Sequence, residues 1–130
     1  MEALGRRLAG ELPASGVVLL IGNLGAGKTT LARGIAAGRG AAPEDVSSPT
    51  FTLIHEYLPA LYHIDLYRLD ELRQVATLGL EELFDRDALV LIEWGERFPS
   101  ILPARRTEIR IRRNPDESRT VDVVLPGGSA

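Results

Sequence analysis

A chain of 130 residues, 45% apolar and 25% charged, has room for one soluble domain with an ordinary core. It has no cysteine, which excludes disulfides and thiolate metal sites and suits a reducing cytoplasm, and its net charge of −3 argues against a nucleic-acid binder driven by phosphate neutralisation. No apolar run approaches a membrane span and Met1 to Arg7 has no signal-peptide core, so a cytoplasmic protein with no membrane partner is expected.

Leu4, Leu8 and Leu12 recur every four residues and predict a helix over 2–12, broken by Pro13-Ala14-Ser15-Gly16. Gly16 to Ile21 is a short β-branched apolar run of the kind a buried parallel strand needs. After a glycine-rich segment, Thr30 to Gly38 reads as a helix with Leu31, Ile35 and Ala36 on one face. Gly38 to Pro43 is a turn and Glu44 to Thr50 an exposed loop. Phe51 to Tyr57 and Leu61 to Asp65 are strand candidates, the second ending on an acid. Leu69 to Leu78 resembles a helix stopped by Gly79, and Leu80 to Phe84 adds a helical turn. Ala88 to Ile92 is a second fully apolar strand, ending on Glu93. Thr107 to Arg112 and Arg119 to Leu125 alternate with period two around Asn114 to Ser118, the pattern of a hairpin with one wet face; Pro126 to Ala130 is a tail.

The segment between the first strand and its helix is Gly22-Asn23-Leu24-Gly25-Ala26-Gly27-Lys28-Thr29-Thr30. It satisfies G-x-x-x-x-G-K-[ST], the phosphate-binding P-loop. Of the 15 lysines and arginines only Lys28 is lysine. A compact ammonium on a flexible stem fits between β- and γ-phosphate oxygens, where a planar guanidinium is too wide. Strand, glycine loop and helix stand in the order that lets backbone N–H groups and a helix N-terminus face an anion. A glycine-rich turn between a core strand and a helix is the plain alternative. The predicted fold is therefore α/β: a single P-loop NTPase domain over 1–130, with a mainly parallel central sheet, flanking helices and a C-terminal antiparallel hairpin at one edge. Asn23, Leu24, Gly25, Ala26, Gly27, Lys28, Thr29 and Thr30 are its nucleotide-binding residues.

A P-loop supplies one Mg2+ ligand, here the Thr29 hydroxyl, and a carboxylate at a neighbouring strand end completes the grip. Glu93 and Asp65 both qualify, because strand-end acids emerge where open α/β sheets bind ligands. A helix cap is the competing role for Asp65, and a surface charge for Glu93. Ser48, Thr50 and Thr52 flank a proline where a nucleotide-sensing loop would lie, though a plain turn explains them equally. His63 could activate water, but a strand histidine satisfied by hydrogen bonds is favoured. Trp94 is read as packing rather than contact. Arg105, Arg106, Arg110, Arg112 and Arg113 cluster, and the wet face of a strand accounts for them better than nucleic-acid contact.

Taken together, the P-loop, Ser48-Pro49-Thr50-Phe51-Thr52-Leu53, His63-Ile64-Asp65-Leu66-Tyr67-Arg68-Leu69 and Ile92-Glu93-Trp94-Gly95-Glu96 strongly resemble the TsaE (YjeE) family, over about Leu4 to Val123. The resemblance implies an ATP- and Mg2+-dependent ATPase that joins the TsaB–TsaD pair. In that pair TsaD places threonylcarbamoyl on adenosine in tRNAs reading codons that start with A, so tRNA is met only indirectly. By the same resemblance Thr29 and Glu93 hold magnesium with Asp65 in the same ionic cluster, and Asp65 and Glu93 serve catalysis. Ser48 to Thr52 form the switch-like loop, Trp94 lies beside the nucleotide and Arg119 contacts it. Asn23 stands where aspartate is commoner, and Met1 lies almost inside the first helix, so the adenine side is expected to be incomplete or closed differently. A small-molecule kinase, a GTPase and a non-hydrolysing ATP-dependent scaffold are the rivals. The chain leaves little room for a kinase lid, and without a second lysine it has no Asn/Thr-Lys-x-Asp guanine loop.

Overall fold

The computed structural model describes residues 1–23, 27–42 and 53–126. Val17, Val18, Leu19 and Leu20 on β1 (Gly16–Ile21) are all buried, so both faces of this strand are covered. Only an interior strand achieves that. β1 pairs in parallel with β4 (Leu89–Glu93) on one side and β5 (Thr107–Arg113) on the other, and β4 pairs in parallel with β3 (Leu61–Asp65). β2 (Ile54–Leu58) runs antiparallel to β3, and β6 (Arg119–Val124) antiparallel to β5, giving the order β2-β3-β4-β1-β5-β6. The expected mainly parallel sheet with a C-terminal antiparallel edge is thus present. The structure adds a second antiparallel hairpin at the opposite edge. Its turn, Pro59-Ala60, carries none of the residue pairs that announce a hairpin in a sequence.

Side-chain alternation divides the core in two. Val18, Leu20, Leu89, Leu91, Ile109 and Ile111 face α1 (Glu2–Ala9) and α2 (Lys28–Gly38). Val17, Leu19, Ile64, Val90 and Ile92 face α3 (Leu72–Ala76), α4 (Leu80–Phe84) and two 3-10 turns, Gly95–Arg97 and Pro99–Ile101. α1 ends three residues before the periodicity does, yet Leu12 still packs in the same core. The helix expected over 69–78 shrinks to Leu72–Ala76, because Glu71 caps it in a reciprocal box with Gln74.

α1 and α2 approach closely enough to exclude side chains at their crossing. A Cβ on Gly34 would collide with the Glu2 carbonyl oxygen, and one on Gly5 with that of Leu31. Arg39, just past α2, donates to the carbonyls of Ala9, Leu12 and Pro13 at 3.1, 3.0 and 2.7 Å, satisfying groups that the end of α1 leaves open. These contacts hold α2 against α1 on one face of the sheet.

Candidate functional site

β1, β3 and β4 run the same way and end together at Ile21, Asp65 and Glu93. α2 begins at Lys28, two residues earlier than its apolar spacing indicates, and its cap Gly27 has φ 109°, a conformation that favours glycine. Between these ends lies a cleft of about 290 Å³. Gly27, Lys28, Thr29 and Thr30 form one wall, and Asp65, Tyr67, Glu93 and Trp94 the other.

Lys28 is 4% exposed, and among the described residues its ammonium has no hydrogen-bond partner. The nitrogen instead lies 3.3 Å from the centroid of the Trp94 ring. Burial lowers its pKa from the usual lysine value, an effect opposed by the charges of Glu96, Glu93 and Asp65 and reinforced by that of Arg97. Three donors with no acceptor among the described residues, facing a cleft at a helix N-terminus, form a receptor for anionic oxygens. Trp94 has left-handed backbone, φ 66°, immediately after Glu93, so the strand turns sharply where it meets the cleft. Arg97 ties this corner to the end of β3, donating to the carbonyls of Leu66 and Tyr67 at 2.6 and 2.7 Å. Its guanidinium also lies 5.4 Å from the Trp94 ring.

Glu93 is 3% exposed and stands directly across from Asp65 in the β3–β4 register. The Thr29 hydroxyl donates to its carboxylate, with Oγ1 at 3.0 and 2.9 Å from the two oxygens. His63 Nε2 lies 2.6 Å from Glu93 Oε2, and Tyr57 Oη lies 2.8 Å from His63 Nδ1. Burial raises the Asp65 pKa and so does the nearby Glu93 charge, while the hydrogen bond that Asp65 accepts from the Tyr67 backbone N–H lowers it. That bond caps the turn after the strand, not a helix. One hydroxyl and two strand-end carboxylates suit a small hard cation that takes its other ligands from phosphate and water. No group of three or more histidine, cysteine, aspartate or glutamate side chains that could hold a metal unaided occurs among the described residues.

The structure therefore gathers Gly27, Lys28, Thr29, Thr30, Asp65, Glu93 and Trp94 around one cleft. Asn23 is exposed in the segment after β1. Leu24, Gly25, Ala26, Ser48, Thr50 and Thr52 lie outside the described residues. Arg119 is at the start of the edge strand β6, opposite Arg113, and donates to the Glu117 carbonyl at 2.7 Å; it is not part of the cleft wall. His63 is the hydrogen-bonded strand histidine that the sequence favours, and its partners are Tyr57 and Glu93. Tyr57, Tyr67 and Arg97 carry no role in the sequence reading. Tyr67 was within reach of it, two residues beyond a strand-end acid, whereas Tyr57 and Arg97 enter through strand pairing and a turn that local spacing does not encode.

Among the described residues no helix is long and apolar enough to cross a membrane. Residues 1–121 match the family described as "Threonylcarbamoyl adenosine biosynthesis protein TsaE". The tRNA threonylcarbamoyladenosine biosynthesis protein TsaE of Bacillus subtilis is 38% identical over 130 residues, 97% of this chain and 80% of that protein. The protein of the same name from Haemophilus influenzae is 40% identical over 111 residues, 83% of this chain and 69% of the relative. The crystal structure of YdiB from Bacillus subtilis resembles this fold with a TM-score of 0.73 at 34% identity, over 92% of this chain and 74% of that one. A P-loop consensus at Gly22 to Thr29, the buried lysine at a helix N-terminus and these likenesses agree: this is a P-loop NTPase-type protein, and the chain belongs to the TsaE family.

Proposed function

We propose that this protein binds ATP with Mg2+ at the carboxyl end of its sheet and hydrolyses it slowly. Through that cycle it supports a TsaB–TsaD pair in forming N6-threonylcarbamoyladenosine in tRNAs that read codons starting with A. The observation that carries the reading is the Lys28 ammonium, buried in a cleft over Trp94 with no hydrogen-bond acceptor among the described residues. A triphosphate supplies the missing acceptors.

In this reading Lys28 moves from the indole face to the β- and γ-phosphate oxygens, and the first N–H groups of α2 share the negative charge. Segment 23–30 forms the cradle, with Trp94 flanking the nucleotide and Arg119 reaching it from the edge strand. Thr29, Glu93 and Asp65 are the residues that would hold Mg2+, which when bound neutralises charge developing on the phosphates. Asp65 and Glu93 thereby serve turnover, and Ser48, Thr50 and Thr52 form the loop that senses the γ-phosphate. The protein works in the cytoplasm and meets tRNA only through its partners. In keeping with this, Arg106 and Arg110 both pair with Glu108, and Arg113 with Glu117, so much of the arginine cluster is engaged within the fold.

Calorimetric titration of ATP, ADP and GTP with Mg2+, followed by phosphate release with and without the TsaB–TsaD pair, tests the proposal. Expected are ATP binding lost in Lys28→Ala and slow release that the partners alter. Absence of ATP binding would overturn it, and binding without turnover even with partners would leave a nucleotide-dependent scaffold.

A further inference from the structure

Behind the carboxylate of Glu93, on the side away from the cleft, runs a line of buried polar groups that nucleotide binding alone does not require. Leu61, His63 and Asp65 alternate toward the α2 face of β3, as Leu89, Leu91 and Glu93 do on β4. The antiparallel pairing of β2 brings Tyr57 to the same face. Tyr57 and His63 are 4% and 5% exposed, and Glu93 is 3% exposed. Three polar side chains in an apolar layer cost stability unless each is satisfied, so their hydrogen bonds must be accounted for one by one.

Burial pushes the Tyr57 phenol up to about 12, against the pull of Arg33 and with the push of Glu93. Tyr57 Oη lies 2.8 Å from His63 Nδ1, and a hydroxyl can either donate to that nitrogen or accept from it. The Glu93 carboxylate only accepts, so His63 Nε2, 2.6 Å from Oε2, donates to it, and on a neutral imidazole Nδ1 is then the acceptor for the Tyr57 hydroxyl. Thr29 donates to the same carboxylate from the cleft side. The carboxylate is thus held from behind by His63 while its other lone pairs face the P-loop threonine.

We infer that Tyr57 and His63 are positioning residues: Tyr57 locks His63 in its Nε2–H tautomer, and His63 fixes the carboxylate of Glu93 toward Thr29 and the cation site. This rests on the reading of the cleft as an ATP–Mg2+ site. A carboxylate oriented before the cation arrives loses less freedom on binding it, and outer partners of this kind are worth about 10- to 100-fold in metal affinity.

The test has two parts. Nitrogen-15 NMR of the histidines in the wild-type protein, with His63 assigned from His63→Gln, is expected to show Nδ1 unprotonated and Nε2 protonated. In Tyr57→Phe the signals should move toward a tautomer mixture. Separately, Mn2+ affinity is measured by EPR in the presence of ATP, alongside metal-free ATP affinity in EDTA. Tyr57→Phe and His63→Leu should weaken Mn2+ about tenfold while leaving metal-free ATP affinity unchanged. His63→Gln, which keeps an N–H donor for Glu93, should recover most of the loss. Protonated Nδ1 in the wild type, or wild-type Mn2+ affinity in both Tyr57→Phe and His63→Leu, overturns this inference alone. Failure of the wild-type protein to bind ATP and Mn2+ overturns the functional reading and this inference with it.

Discussion

Two glutamates, one at the end of β4 and one on β5, face opposite problems. Glu108 is 15% exposed and is gripped by two arginines, Arg106 Nη2 at 3.0 Å and Arg110 Nη2 at 2.7 Å. Glu93 is nearly inaccessible and has neither; its partners are a histidine and a threonine hydroxyl, and the nearby ammonium of Lys28 rests on an indole. The paired charge is only partly covered and one of its arginines, Arg110, is 60% exposed, and pairs that water reaches contribute little. The charge with sparse ionic partners lies where its desolvation costs most. A fold that pairs one acid with two arginines and leaves the other, without a cationic partner among the described residues, lining the cleft concentrates its desolvation cost at the candidate site.

Removing Lys28 should sharpen this contrast most. Lys28→Ala is expected to lower ATP affinity by at least about 100-fold, the order of one strong charge-assisted contact with a phosphate. In Lys28→Met, with an apolar chain of similar length, thermal unfolding should occur at the wild-type temperature or higher, since an ammonium with no acceptor among the described residues is removed. A clearly lower Tm in Lys28→Met would mean that the ammonium is satisfied in the free protein and that the contrast is false. Glu93→Ala should spare most ATP binding and reduce turnover about 100-fold, read as a fall in kcat in a phosphate-release assay. Turnover at the wild-type rate would remove Glu93 from the metal site.

A smaller effect concerns the helix that delivers Lys28 and Thr29 to the buried region. Glycine to alanine inside a helix ordinarily stabilises by up to about 1 kcal/mol. At Gly34 the sign should reverse, with a loss of about 1–3 kcal/mol in urea unfolding, because the new methyl meets the Glu2 carbonyl. Gly10, whose Cβ would meet nothing nearer than 3.8 Å, is the control that should not show it.

Least of all should follow from Glu108. The hydrogen bond from Arg110, helped by Arg106, holds its carboxyl below the usual glutamate value. Its contribution is therefore complete above the unfolded value near 4.5 and is lost as pH falls through the lower folded value. Glu108→Gln should cost less than about 1 kcal/mol at neutral pH and nothing in strong acid, measured as the pH dependence of the urea midpoint. A larger cost would erase the difference between the two glutamates.

The sequence by itself determined whatever depends on neighbours along the chain. The spacing from Gly22 to Thr29 is a local device, and the strands 16–21 and 88–92 are legible because both faces of each are apolar. Glu93 and Asp65 were legible as strand-end acids for the same reason. Trp94, read as packing from the bare sequence, lies in the cleft wall beneath the lysine, a position set by the left-handed turn after β4. Tertiary structure alone decided what depends on register between distant strands. Tyr57, His63 and Glu93 become one chain of hydrogen bonds only because β2 folds back on β3 and β3 lies beside β4. The close crossing at Gly5 and Gly34 likewise belongs to two helices separated by a strand. Periodicity tells a residue which face it occupies. Which partner waits on that face is settled by pairing across the sheet, and no local pattern carries that information.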